Sequence, residues 1–366
     1  MTRAALSARE SRLISGPDSV GVKVLLIGTG ASPIPPPGYG AVERIIFEYG
    51  QALARAGQSV KILNEVHGKG SLAEYRFALH LPSLLRREQY DVVHASTPVV
   101  ASRLAAGGVP FVYTSHSRHW FWRENWRHRW GYWLERRAVR RASAVVALTS
   151  ELEGAMRAAL SPVLPRHIRV IPYGVDANAY APDWGRRTGR NALGVGVIVP
   201  LKRWEIAAAA LKGTGIRLRI VGPISNPSYA ARVRGAGDAV ELLGQVDEAR
   251  LRELYSESDL LVHPSQVEVL PRAVLEAMAS DLPVVGSSVV RSVFPEGRGA
   301  FIAPANSSED ALVQYIRTSA VRLAEDSNLR HAMGESGRAV AKETYSWDHI
   351  VAAHLDLYRE VTGLGA

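Results

Sequence analysis

The chain has 366 residues, 47% of them apolar and 22% charged, which is enough for two globular domains with cores of their own. It has no cysteine, which excludes disulfides, a thiolate nucleophile and Cys-ligated zinc, and no apolar run approaches the ~18 residues of a membrane span. Lys and Arg number 44 against 35 Asp and Glu, and the formal charge of +9 favours an anionic partner: nucleotide phosphates, anionic lipid or nucleic acid.

In chain order, residues 1–20 lack the apolar core of a signal peptide and read as a polar arm. Strand-like apolar runs then alternate with helix-length segments. The first series is Val22–Thr29, Val60–Leu63, Val92–His94, Phe111–Thr114, Ala144–Leu148 and Ile168–Ile171. The second is Gly194–Val199, Arg217–Val221, Val240–Leu242, Leu260–His263 and Val284–Gly286. This alternation predicts an α/β protein with parallel sheets. Between the series, residues 181–191 are rich in Gly, Pro and Arg without periodicity and read as a linker. The expected division is thus an arm (1–20), a first domain (21–180), the linker (181–191), a second domain (192–345) and a C-terminal helix (346–366). Two doubly wound domains place ligands at the carboxyl ends of their strands, and if those ends face each other the active site is the cleft between them.

Several segments offer chemistry. The first strand leads into Gly28-Thr-Gly-Ala-Ser-Pro-Ile-Pro-Pro-Pro-Gly38-Tyr-Gly40 and then a helix over Val42–Ala56. The prolines spoil a dinucleotide fingerprint, but Gly38 and Gly40 permit close backbone approach, and the helix N-terminus suits a phosphate. A proline-stiffened surface loop is the plainer reading. Phe111-Val-Tyr-Thr-Ser-His116 ends a strand with a histidine, and Gly196-Val-Ile-Val-Pro-Leu-Lys202-Arg203 puts two cations after the second domain's first strand. In Leu260-Leu-Val-His-Pro-Ser-Gln-Val-Glu268-Val-Leu-Pro-Arg-Ala-Val-Leu-Glu276, a turn carboxylate is followed by one well inside an apolar helix. A carboxylate there requires hydrogen-bond donors, and sugar hydroxyls are of the right kind. The alternative is one capping and one exposed glutamate.

Five of the eight tryptophans lie between His116 and Arg141, with Trp122, Trp126, Trp130 and Trp133 on one helical stripe among eight arginines and two glutamates. Trp with Arg on an amphipathic helix suits a membrane interface, whereas an aromatic stripe packed into the core is the commoner arrangement. Nucleic acid is disfavoured, because no recognisable stacking module accompanies the charge.

Taken in order, these motifs resemble the retaining GT-B glycosyltransferases of family 4, the glycosyl transferases group 1, over about residues 22–360. The resemblance implies two Rossmann-like parallel-sheet domains facing across a cleft, with the C-terminal helix crossing back to the first. It implies transfer of a hexose-type sugar from a nucleotide-diphosphate sugar to a saccharide or lipid-linked acceptor, with no resident cofactor. By its pattern His116 lies beside the donor sugar, Lys202 with Arg203 and the Gly38–Gly40 loop meets the diphosphate, and Gly222 and Val246 meet the base. Backbone N–H groups at Val269 and Leu270 follow the carboxylate, Glu268 holds sugar hydroxyls and Glu276 the ribose. His116, Glu268 and Lys202 form the expected catalytic set. No Asp-x-Asp pair occurs, so a metal-chelating diphosphate site of that type is not expected.

The sequence departs from the family at Val197, where an Arg is usual, at Val269 and Asp281, where glycines are usual, and at Val289-Val290 in place of Gly-Gly. Arg203 and Arg272 are candidates to replace the missing cation. The expected setting is cytoplasmic, with peripheral attachment to an anionic membrane surface through Trp120–Arg141 as the option the tryptophans raise. Alternatives are a catalytically silent nucleotide-sugar-binding protein and a sugar-nucleotide epimerase. Tyr255 and Asp259 read as ordinary packing residues.

Overall fold

A computed structural model describes residues 9–14, 21–38, 40–68, 71–116, 129–160, 167–294 and 298–363. Among these residues the strands, in chain order, are β1 Arg9–Leu13, β2 Lys23–Ile27, β3 Ser59–Glu65, β4 Val92–Ala95, β5 Val112–Ser115, β6 Ala144–Ala147, β7 Ile168–Val170, β8 Asn191–Val195, β9 Arg217–Val221, β10 Val240–Gly244, β11 Leu260–His263, β12 Val284–Gly286 and β13 Ala300–Ile302. The helices are α1 Ala41–Arg55, α2 Ser71–Leu85, α3 Pro98–Gly107, α4 Arg129–Arg141, α5 Ser150–Leu160, α6 Trp204–Leu211, α7 Pro227–Ala236, α8 Glu248–Glu257, α9 Arg272–Ala279, α10 Glu309–Glu325, α11 Ser327–Thr344 and α12 Trp347–Thr362.

Two units result. The first comprises the chain up to Tyr173 together with residues from Trp347 on, and the second runs from Gly174 to Ser346. The first unit's sheet has the order β1-β3-β2-β4-β5-β6-β7, parallel except for β1, which pairs antiparallel with β3. The second has the order β10-β9-β8-β11-β12-β13, all parallel. Its strand order reverses between β8 and β11, which is where a doubly wound sheet opens a crevice at its carboxyl edge. Strands β4, β5, β6, β11 and β12 are buried throughout. Helices cover both faces of such sheets, so the strands read as unbroken apolar runs.

Three expectations change. Part of the expected arm is an edge strand: Arg9–Leu13 pairs with the Lys61–Glu65 stretch of β3 through backbone hydrogen bonds, which need no apolar pattern. The first strand of the second unit begins at Asn191 and ends at Val195, ahead of the Gly194–Val199 run. The 181–191 stretch is fastened to the second unit. Arg187 is buried and donates to the carbonyls of Ser256, Ser280 and Asp281, its guanidinium lying over the Trp184 ring, while Gly189 and Asn191 N–H donate to Asp259.

Helix α12 belongs to the first unit. Tyr358 lies between α1 and β4, its hydroxyl 2.8 Å from that of Tyr49 and 2.6 Å from His94 Nδ1. The other ring nitrogen of His94 is 2.7 Å from Thr114 Oγ1, so this buried polar group is satisfied on both sides.

Candidate active site

The second unit's site forms where β8 and β11 release the chain. After β8, Gly196 takes φ 153° and Gly222 φ 148°; a Cβ on Gly222 would lie 2.1 Å from the Gly196 carbonyl oxygen, so the two turns meet at a separation only glycine permits. Trp204, fully buried at the start of α6, packs over Gly194 and donates its indole N–H to the Val197 carbonyl. A single 3-10 turn, Pro200–Lys202, connects these points. Arg203 follows in the left-handed region (φ 52°), and its guanidinium donates to the carbonyls of Pro264 (2.7 Å) and Ser265 (3.0 Å). Gln266 N–H donates back to the Leu201 carbonyl at 2.9 Å. The loop after β8 is thereby stapled to the loop after β11, and the Lys202 ammonium is brought into contact with the Glu268 carboxylate.

His263, the last residue of β11, is buried with Nε2 at 3.5 Å from the same carboxylate oxygen. Burial works to raise the Glu268 pKa, but His263 and the Lys202 ammonium outweigh it, and the carboxyl is held below the ordinary range. Burial lowers the His263 imidazole. At neutral pH Glu268 is therefore a carboxylate and His263 a neutral imidazole.

Glu276 is buried in α9. It accepts 2.8 Å from the Tyr255 hydroxyl and 2.7 Å from Arg272 Nε, one helical turn back. The fold thus supplies donors for the buried carboxylate, and its remaining lone pairs are what a ribose could use. Tyr255, read from the sequence as packing, has this polar task as well; burial and then the neighbouring carboxylate raise its pKa. Asp259 accepts the two backbone N–H groups already described and is structural. Neither Arg203 nor Arg272 is a free cation to replace the one missing at Val197, because one braces loop carbonyls and the other pairs with Glu276.

The other expected donor residues of the second unit lie in the turns before α8 and α9 and after β9. Val269 and Leu270 are buried side chains directly before α9, a helix whose N-terminus has Pro271 as cap and no side-chain cap. Gly222 follows β9, and Val246 is half-buried in the turn before α8.

In the first unit, His116 follows β5. Its Nδ1 lies 2.6 Å from the Tyr173 hydroxyl, the two rings stacked at 13°, and its buried Nε2 meets no partner among the described residues. Burial pulls its pKa to about 4 against the opposing charge of Glu135, so the ring is neutral at pH 7. Gly40 is extended (φ 177°) and caps α1; a Cβ there would sit 2.8 Å from Pro36, so close approach rather than φ selects glycine. Gly38 lies in the same loop. Behind it, Thr29 donates to the buried Glu43 carboxylate at 2.7 Å.

Helix α4 turns Leu134, Glu135, Ala138 and Val139 inward, with Glu135 accepting from the Tyr113 and Ser115 hydroxyls. Trp130 (61% exposed) and Trp133 (50%) stack on each other outside. Trp120, Trp122 and Trp126 lie outside the described residues. No helix among the described residues is long and apolar enough to cross a membrane.

A family model described as Glycosyltransferase Family 4 matches residues 21–179, and one described as Glycosyl transferases group 1 matches residues 195–320. The chain belongs to the family 4, group 1 glycosyltransferases of the GT-B fold. This glycosyltransferase is 26% identical to alpha-maltose-1-phosphate synthase of Mycolicibacterium smegmatis, over 75% of its own length and 80% of that protein. It is also 26% identical to the GDP-mannose:cellobiosyl-diphosphopolyprenol alpha-mannosyltransferase of Xanthomonas oryzae pv. oryzae, over 70% of its length and 69% of the other. Sucrose-phosphate synthase from Thermosynechococcus elongatus superposes with a TM-score of 0.77 at 20% identity, covering 93% of this chain and 99% of that one.

The glycosyltransferase accommodates its departures from the family locally. Asp281 adopts φ 52°, a left-handed position that Asp tolerates, with its carbonyl held by Arg187. Val290 is buried against Gly286, where a Cβ would lie 2.5 Å from it. Sequence reasoning passes over His263 and Tyr173; a histidine closing a strand beside the switch point is the available signal for the first.

Proposed function

We propose that this glycosyltransferase moves a hexose-type sugar from a nucleoside-diphosphate sugar to an acceptor hydroxyl with retention of anomeric configuration, and that its second unit binds the donor. The observation that carries the reading is the contact of Lys202 with Glu268 beside the β8/β11 switch point. The bond from the anomeric carbon to the diphosphate breaks, its electron pair leaves with the nucleoside diphosphate, and the acceptor oxygen forms the new bond as its proton passes to an oxygen of the departing phosphate. Lys202 would neutralise charge growing on the leaving diphosphate, and stabilisation of this kind is commonly among the largest catalytic contributions. Glu268 would accept from sugar hydroxyls once the ammonium turns to phosphate. Glu276 would accept from the ribose, and the N–H groups of Val269 and Leu270, with Gly222 and Val246, would border the nucleotide. His116 would present Nε2 to the sugar as a neutral hydrogen-bonding group. The relative named for GDP-mannose and a diphosphopolyprenol-linked acceptor supports both a nucleoside-diphosphate-sugar donor and a lipid-linked acceptor.

The test is a thermal-shift screen of nucleoside diphosphates and their sugars, followed by kinetics with the donor found. Lys202→Ala lowers kcat about 10²–10³-fold, Glu268→Gln acts mainly on kcat, and Glu276→Ala weakens nucleotide binding by about 5–150-fold, the loss of one hydrogen-bonded carboxylate. Unchanged kinetics in all three variants, or an anomerically inverted product, sinks the assignment.

The exposed, stacked Trp130 and Trp133 on a helix rich in arginine favour a second element of this reading: attachment to an anionic membrane surface that carries a lipid-linked acceptor. Wild type then co-sediments with anionic vesicles, and Trp130→Ala/Trp133→Ala does so less. Equal partitioning of the two proteins removes the membrane from the proposal.

A further inference from the structure

We propose that Glu65, His67 and His80 form a binding site for a late first-row divalent cation (Zn²⁺, Co²⁺ or Ni²⁺) that pins α2 to the end of β3. None of the three takes part in the chemistry above. Glu65 is the last residue of β3 and is largely buried; His67 follows two residues later; His80 stands exposed on α2. One carboxylate oxygen of Glu65 lies 3.2 Å from His67 Nε2, and His80 Nδ1 lies 3.4 Å from the same nitrogen. The three potential ligand atoms all fall within 4.8 Å of one another.

Two arguments favour a cation over a chain of hydrogen bonds. The first is proton arithmetic. His67 Nε2 carries at most one proton and faces two partners. If it donates to Glu65, the proton is directed away from His80, whose Nδ1 must then point a lone pair or a second proton at an N–H. A cation at the centre takes one lone pair from each of the three atoms. The second argument is spacing. With bonds of about 2.0–2.1 Å, adjacent ligand atoms of a tetrahedral zinc site stand about 3.3–3.4 Å apart. Two of the three separations here already have nearly that value. The third closes by rotation of His80, whose exposed side chain is free to move.

The donor set selects the metal class. Two imidazoles and one carboxylate suit zinc, cobalt and nickel, whereas magnesium and calcium favour all-oxygen surroundings. Three protein ligands leave a fourth position for water or a small anion. Arg76, which donates to the His67 carbonyl at 3.2 Å, places a positive charge near the site and lowers its affinity. The site lies on the carboxyl edge of the first unit's sheet, on the same edge as the Gly28–Gly30 turn, since Gly28 N–H donates to Leu63 and Gly30 N–H to Asn64 in β3. The proposal does not depend on the sugar-transfer reading.

Tag-free full-length protein is titrated with Co²⁺ and followed by its visible absorption, then back-titrated with Zn²⁺. One equivalent of Co²⁺ should develop the bands of a low-coordinate nitrogen-oxygen site, Zn²⁺ should displace it, and Zn²⁺ but not Mg²⁺ should raise the melting temperature. His80→Ala, which removes an exposed side chain and leaves the circular dichroism spectrum unchanged, should weaken Co²⁺ binding at least about tenfold, as should Glu65→Gln. No saturable Co²⁺ binding by the wild type, or the same affinity in His80→Ala, overturns the proposal; the second result would place the cation on other histidines of the chain.

Discussion

Gly222 and Gly196 meet where the turns after β9 and β8 leave the sheet, and Lys202 depends on that meeting for its position. Any side chain on Gly222 must push the Gly196 carbonyl away and must also hold a φ of 148°. Gly222→Ala is therefore expected to destabilise the second unit by about 1–3 kcal/mol or more, read as a lower melting temperature. If Lys202 acts on the leaving diphosphate, kcat falls as well, because the displaced carbonyl carries the Lys202 loop with it. A variant with wild-type stability and turnover would show that the close approach can relax without consequence. Arg203 makes the same point from the other side of the loop. Its left-handed backbone and its two carbonyl partners, rather than its charge, explain its place beside Lys202.

Among elements, the 181–191 stretch teaches most. Its composition suggests a linker, yet Arg187 makes it part of the second unit. Arg187→Ala leaves three carbonyls without their donor, at a cost of about 1–3 kcal/mol for each that water does not reach; a lower urea midpoint with an unchanged m-value is the expected reading, and an unchanged midpoint would contradict it. The parallel strands were legible because burial on both faces demands continuous apolar residues, as in β4, β5 and β11. Strand β1, with the sequence RESRL, was not, since its pairing with β3 is a matter of backbone hydrogen bonds. Strand β13, at the sheet edge and buried only at Ala300, lacks the continuous burial that marks β4, β5 and β11. In the site, Glu268 and Lys202 stood out through their resemblance to the family's motifs, and the fold brings the two into contact. Their surroundings did not stand out: His263 reads as the end of an apolar run and Tyr255 as a packed aromatic, and their proximity to the glutamates arises only when separate elements fold together.

Among the described residues, burial keeps several histidines of the molecule neutral at pH 7. Burial holds His116 and His354 at about 4 and pulls His94 well below the ordinary value of 6.5, with His354 and His116 adding to the effect on His94. In the unfolded chain all three titrate near 6.5, so between that pH and about 4 the unfolded state binds more protons, and stability falls as pH falls. Glu74, raised by burial, opposes this weakly, because it loses stability as pH rises. The urea midpoint is expected to be lower at pH 5 than at pH 7; equal midpoints would mean that these imidazoles are not shielded in solution. Of the three, His354 lies on α12 and His94 beside it, and the order of synthesis gives that helix a particular burden. The ribosome delivers all of Gly174–Ser346 before it delivers Tyr358, so the hydroxyl of Tyr49 and the ring of His94 wait for a partner from the far end of the chain. The half of the molecule that is begun first is completed last, and a chain cut at Ser346 would keep every element of the second unit while leaving the first with an open seam.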